Sequence, residues 1–220
     1  MKVKLISYSK PTKEVANNGI DDAQELVAFC ARVSNPSNQL NTETSEKLIK
    51  YLINNAHWSP LEMVSACLEI ETTRDIARQM LRHRSFSFQE FSQRYANPVK
   101  DLEFIIRDAR MQDPKNRQNS IETDNDEISK NWKNKQEKII KEATDAYNWA
   151  IESGIAKEQA RSVLPEGNTV SRLYMNGTLR SWIHYIELRS ANGTQKEHME
   201  IALACADVIN KIFPMGENLN

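Results

Sequence analysis

Val64-Ser65-Ala66-Cys67-Leu68-Glu69-Ile70-Glu71 alternates without a break. Val64, Ala66, Leu68 and Ile70 fall on one side, and Ser65, Cys67, Glu69 and Glu71 on the other. A period of two marks a strand with one face buried and one face wet. The period then changes. Thr73 is a candidate helix cap, and Ile76, Met80 and Leu81 fit a short helix that delivers Arg82-His83-Arg84 at its C-terminal end. No glycine-rich turn follows the strand, which argues against a dinucleotide-binding βαβ unit and for an α+β arrangement.

Toward the N-terminus, residues 3–8 read as an opening strand. Asp21 is read as the cap of a helix whose Leu26, Phe29, Cys30 and Val33 share a face and which ends near Asn35-Pro36. A second helix follows Thr42–Thr44 with the stripe Leu48, Ile49, Leu52 and Ile53. Toward the C-terminus, Leu102, Phe104 and Ile106 alternate as a strand, and the Asn- and Asp-rich residues 112–126 read as a polar surface loop. A long helix over residues 127–153 is expected to turn Ile128, Trp132, Ile139, Ala143, Ala146, Tyr147 and Ala150 inward and to stop at Gly154. A shorter helix leads to Leu164-Pro165, and residues 169–175 form a strand. Thr178 caps another helix, residues 196–213 close the chain helically, and His198 reads as an exposed helix residue without a role. The expected architecture over residues 1–220 is one α+β domain, a small antiparallel-type sheet flanked by helices with a long helix in the second half.

The 220 residues carry 29 Lys and Arg against 30 Asp and Glu, a formal charge of −1. No global basic field points to duplex nucleic acid, so an anion site must be local. No apolar run is long enough to span a membrane, and Met1–Ser7 has no secretory core. Cys30, Cys67 and Cys205 form neither a metal pattern nor a disulfide framework, so the reading is a cytoplasmic protein without a metal, a membrane or a nucleic acid as partner.

Arg82-His83-Arg84-Ser85-Phe86-Ser87-Phe88-Gln89-Glu90-Phe91-Ser92-Gln93-Arg94-Tyr95 packs three arginines, a histidine, three serines and a glutamate into fourteen residues. Guanidinium forks bind phosphate oxygens in pairs, and hydroxyls complete the shell. Phe86, Phe88 and Phe91 read as packing anchors. Arg-His-Arg, seven residues, then Ser92 with Arg94 two further on, resembles the signature of the flavin-dependent thymidylate synthases. His57-Trp58-Ser59-Pro60-Leu61-Glu62, Ala31-Arg32-Val33-Ser34, Ala160-Arg161-Ser162 and Leu179–Arg189 resemble other segments of that family, in the same order.

The resemblance implies a methyltransferase that makes dTMP from dUMP. It implies FAD as the bound redox cofactor, NADPH as reductant and 5,10-methylenetetrahydrofolate as the carbon donor released as tetrahydrofolate. It assigns Gln79, Arg82, Glu90, Ser92, Gln93, Arg94, Arg161 and Arg189 to dUMP, with Ser92 and Arg94 around the phosphate and Arg189 at the uracil ring. It assigns Ser34, His57, Ser59, Glu62, Arg82, His83, Arg84, Thr178, Arg180 and His184 to FAD, although Thr178 and His184 stand where other members carry Asn. Arg189, His57 and Ser92 are the catalytic candidates. The family is homotetrameric, with active sites formed between subunits. The classical thymidylate synthase uses a cysteine thiolate, but Cys30, Cys67 and Cys205 lie on apolar faces or in a strand, and none is flanked by arginine. The competing reading is a nucleotide- or RNA-binding module using residues 82–94 as a basic, aromatic patch.

Overall fold

The computed structural model of the chain describes residues 1–214. In chain order the elements are β1 (Lys2–Tyr8), α1 (Lys13–Ala16), α2 (Ala23–Ala31), α3 (Ser45–Asn54), β2 (Ser65–Thr73), α4 (Arg74–Met80), β3 (Ser87–Glu90) and α5 (Pro98–Asp101). There follow β4 (Arg110–Gln112), β5 (Ser120–Glu122), α6 (Asp126–Glu152), α7 (Lys157–Ala160), β6 (Val170–Thr178), α8 (Leu179–Ser190) and α9 (Lys196–Asn210). Four strands form an antiparallel sheet in the order β1-β2-β6-β3. The α+β class with a small antiparallel sheet and a long helix in the second half is as expected.

Ala66, Leu68 and Ile70 of β2 are fully buried, as their alternation requires. Leu68 stands between Leu5 and Met175, and Met175 faces Phe88, so one apolar face runs across all four strands. Trp182, Ile183 and Ile186 of α8 and Ile201, Cys205 and Ile209 of α9 join the same core. The indole N–H of fully buried Trp182 donates to the Ala66 carbonyl at 3.0 Å, which satisfies the ring's one polar atom.

Several local expectations are corrected. Asp22, not Asp21, caps α2: its carboxylate accepts from the Glu25 amide at 2.7 Å, while the Glu25 carboxylate accepts from the amide of Asp21, one residue before the cap, at 2.6 Å. The buried face of α2 is therefore Ala23, Val27 and Ala28, and Val33 is exposed. Thr73 holds the cap position of α4, but its hydroxyl donates to Asp75 at 2.6 Å instead of accepting from the helix. Leu102, Phe104 and Ile106 form no strand; they give one bridge, Phe104 to Thr169. Residues 112–126 are not all loop, because β4 and β5 pair as a small hairpin. On α6, Ile128, Trp132, Ile139 and Ala146 are exposed, since only its second half packs on α7, through Tyr147 and Ala150 against Ala160 and Leu164. Gln136 is buried in their stead, its carboxamide tied to the backbone of Arg107.

Two helices end in the same way with different residues. The amides after α6 close on Ile151 and Ala150 through Gly154, whose φ is +82°. Those after α3 close on Ile53 and Leu52 through Ala56, whose φ is +55°. Both are Schellman ends, which favour glycine at the left-handed position.

Candidate active site

The signature leaves α4 at Met80 and returns as β3, an edge strand that the sequence pattern did not show. Phe86 makes the turn possible. Its ring lies over Gly177 so closely that a Cβ there would sit 2.4 Å from the ring, and it packs edge-on against Trp182 at 4.8 Å. The Ser181 hydroxyl donates to the Ser85 carbonyl at 3.2 Å. With the turn pinned from inside, Arg82 and Arg84 are exposed, and neither makes an ion pair among the described residues.

The expected site residues gather in three groups. In the first, Nε of Arg189 on α8 donates to Nε2 of His83 at 2.9 Å. His83 therefore carries its proton on Nδ1, and burial, Arg189 and Arg82 together pull its pKa from 6.5 down to about 4. His83 stands edge-on to Tyr185 at 5.0 Å and near His198 at 6.4 Å. His198 is fully buried, not exposed, and burial, Arg189 and His83 likewise bring its pKa to about 4. It contacts Gln79, whose Nε2 donates to Gln195 at 2.8 Å. Gln195 donates to Glu197 at 3.0 Å, and Arg110 donates to the same carboxylate at 2.6 Å. Burial works against the Glu197 charge, but these donors and a backbone amide outweigh it and hold its pKa below the usual value.

The second group gathers around Arg74 and Arg78 of α4. Arg78 donates to Glu90 at 3.0 Å, and the Ser171 hydroxyl donates to the same oxygen at 2.7 Å. Arg94 pairs with Glu158 at 3.2 Å, and the Arg94 amide leans on the Ser92 hydroxyl at 3.4 Å. A polar groove here is lined by Arg74, Gln93, Glu158, Arg161 and Glu166. Gln93 is 3% exposed, and its Nε2 has no partner. An orphaned donor beside two guanidinium groups is suited to a ligand rich in acceptor oxygens.

In the third group, Glu62 receives Arg180 at 2.5 Å and Trp58 meets His184 edge-on at 4.4 Å. His57 lies edge-on to Tyr51 at 5.8 Å, Ser59 is exposed, and Thr178 caps α8 by accepting from the Ser181 amide. A neighbouring groove joins Ser34, Asn35 and Lys47 to the apolar wall of Ala31, Leu48 and Tyr51. That combination offers a cation and donors for phosphate together with a surface for a ring.

Sequence reading missed His198, Gln195, Glu197, Arg74 and Arg78. A signal for His198 was present: it shares the stripe of Ile201, Ala202, Cys205 and Ile209 at helical spacing, so it had to be inside. Burial raises the thiol pKa of Cys30, Cys67 and Cys205. Among the described residues no three His, Cys, Asp or Glu gather as metal ligands would, and no helix is long and apolar enough to cross a membrane.

Fold and groups together define an α+β protein in which arginines distant in sequence gather around the C-terminal end of α4 and the groove beside it. The chain belongs to the family described as thymidylate synthase complementing protein, whose model matches residues 15–215. It is 50% identical over 214 residues to a probable flavin-dependent thymidylate synthase of Paramecium bursaria Chlorella virus 1, covering 97% of this chain and 96% of that one. It is 51% identical over 216 residues to the flavin-dependent thymidylate synthase of Synechocystis sp., with the same coverage. Its structure is similar to the UMP/dUMP methylase PolB of Streptomyces cacaoi bound with 5-Br dUMP, with a TM-score of 0.78, 26% identity and coverage of 97% and 91%.

Proposed function

We propose that this chain is a flavin-dependent thymidylate synthase, a methyltransferase that converts dUMP to dTMP. The reading takes 5,10-methylenetetrahydrofolate as carbon donor, NADPH as reductant and FAD as the flavin, in the cytoplasm, with residues 1–220 acting as one domain. The observation that carries it is the meeting of Gln79, His83 and Arg189, distant in sequence, in one group of a chain half identical to named enzymes of that activity. The groove at Ser34 and Lys47 suits FAD, and the reading assigns Arg82, His83 and Arg84 with His57, Ser59, Glu62, Thr178, Arg180 and His184 to the same cofactor. The bound flavin supplies the hydride chemistry.

The chain's own groups do the rest. Ser92, Gln93, Arg94 and Arg161 hold the phosphate; Arg94 exchanges Glu158 for it. Glu90 keeps Arg78 and Arg74 in place. Arg189 and Gln79 meet the pyrimidine. Negative charge grows on the uracil oxygens as C5 attacks the one-carbon unit, and the fixed Arg189 fork stabilises that charge without reorganising. His83 serves as a neutral acceptor that aims the fork. The reading includes a homotetramer: Gln79 and Arg189 gather with His83 and His198, apart from the groove of Gln93, Glu158 and Arg161, and one subunit supplies the phosphate grip while another supplies the ring contacts.

The test is dTMP formation by the purified protein with FAD, NADPH, methylenetetrahydrofolate and dUMP, each omitted in turn. A yellow oligomer of about four 25.3 kDa chains with full dependence on all four is expected. A colourless monomer that cannot be loaded with flavin would overturn the reading.

A further inference from the structure

Gln79, Gln195, Glu197 and His198 form a chain of hydrogen bonds whose direction is set at one end. The Glu197 carboxylate can only accept, so Gln195 must turn its Nε2 toward it, at 3.0 Å. The Gln195 Oε1 is then left to accept from Gln79 Nε2 at 2.8 Å. Gln79 Oε1 in turn faces Nδ1 of His198 at 3.1 Å, and an oxygen can only accept there. His198 is therefore protonated on Nδ1. Its Nε2 is a bare acceptor without a partner among the described residues, and the nearby buried Tyr185 hydroxyl, whose ring is 5.8 Å away, has none either. A bare buried acceptor is less costly than an orphaned N–H, so the arrangement holds together only in this tautomer.

We propose that His198 is a positioning residue that locks the Gln79 carboxamide from its oxygen side, opposite the hold of Gln195 on its nitrogen, and leaves its remaining N–H free for the nucleotide, so that the site reads the C4 carbonyl oxygen of the pyrimidine. The inference rests on the proposed nucleotide reading of the site. Gln79 belongs to the Arg189 group, apart from the phosphate-suited groove, so the acceptor it meets is on the ring. A donor at that point matches a keto pyrimidine and opposes a 4-amino pyrimidine, whose N–H groups would face it. Gln195 holds the Gln79 nitrogen and His198 its oxygen: without His198 the oxygen loses its only donor among the described residues, and the carboxamide is held from one end alone.

The test uses flavin-loaded protein and calorimetric binding of dUMP and dCMP to the native chain, His198→Leu and His198→Asn. Native protein should prefer dUMP by on the order of 100-fold or more. His198→Leu should bind dUMP about 5- to 10-fold more weakly and lose part of the preference over dCMP, with flavin content unchanged. His198→Asn, which keeps a side-chain N–H near the Nδ1 position, should recover most of both. A folded His198→Leu with native dUMP affinity and native preference would reduce His198 to packing and overturn the inference alone. If neither nucleotide binds the native protein, the functional reading itself fails. Nitrogen NMR of the native imidazoles decides independently of any variant's folding: His198 must show the Nδ1–H tautomer, and an Nε2–H signal would overturn the proposal.

Discussion

Arg189 Nε donates to His83 Nε2 at 2.9 Å, so a cation and an imidazole meet as donor and acceptor and not as two charges. The contact exists only while His83 is neutral. Its depressed pKa, about 4, and that of His198, also about 4, have a common cause in burial, with Arg189 acting on both.

The first prediction concerns pH. Both imidazoles have folded pKa values below 6.5, so the unfolded chain takes up protons first as pH falls. Their full contribution to stability is present above pH 6.5 and is lost progressively toward pH 4. Between pH ~6.5 and ~5, above the range where carboxylates titrate, the thermal midpoint should fall, and in His198→Leu the slope should be about half as steep. An identical slope in the variant would mean that His198 is charged in the folded protein.

Arg189 and Arg94 should fail differently. A phosphate grip acts equally on ground and transition states, so Arg94→Ala should chiefly raise the KM for dUMP. Arg189→Ala should lower kcat by about 100-fold, the cost of one oxyanion donor. It should also raise the His83 pKa by removing a nearby positive charge. Arg189→Lys should rescue little, because a point charge cannot reproduce the fork. Steady-state kinetics with dUMP check the pair, and an intact kcat in Arg189→Ala would remove Arg189 from ring activation.

Gly177 is required by Phe86. A Cβ at 2.4 Å from the ring cannot be accommodated without moving an aromatic group already packed on Trp182. Gly177→Ala should cost about 1–3 kcal/mol of stability, or more if the Arg82–Tyr95 turn is displaced. Urea unfolding measures the cost, and flavin retention reports the displacement.

Ala56 carries a backbone strain that Gly154 avoids, the two occupying the same place in their helix ends. Ala56→Gly should be neutral to stabilising by up to about 1 kcal/mol, since relief of the left-handed penalty exceeds or balances the entropy gained by the unfolded chain. Gly154→Ala should be destabilising. Equilibrium unfolding of the two variants should give opposite signs.

Much of this molecule is legible in its sequence, and the illegible parts share physical causes. β2 could be read because one face is uniformly apolar, and α8 because Thr178 caps it. β3 was hidden because Arg-, Ser- and Phe-rich composition reads as a binding loop and its pairing with β6 is a long-range fact. The exposure of Ile128, Trp132 and Ile139 escaped because periodicity reports that a helix has an apolar face, not that anything covers it. The family resemblance named Gln79, His83 and Arg189 as separate contacts. Their common cluster, and the buried His198 behind Gln79, follow from how α4, α8 and α9 come together, which no local spacing encodes.

The separation of Arg94, paired with Glu158, from Arg189, bonded to His83, has a genetic counterpart under the proposed function. If each site borrows its halves from two chains, Arg94→Ala and Arg189→Ala damage different halves. Mixed assemblies of two inactive variants then contain some sites spared by both lesions. Co-expression of the pair should restore thymidylate synthesis to a cell lacking its own enzyme, where neither variant alone supports growth.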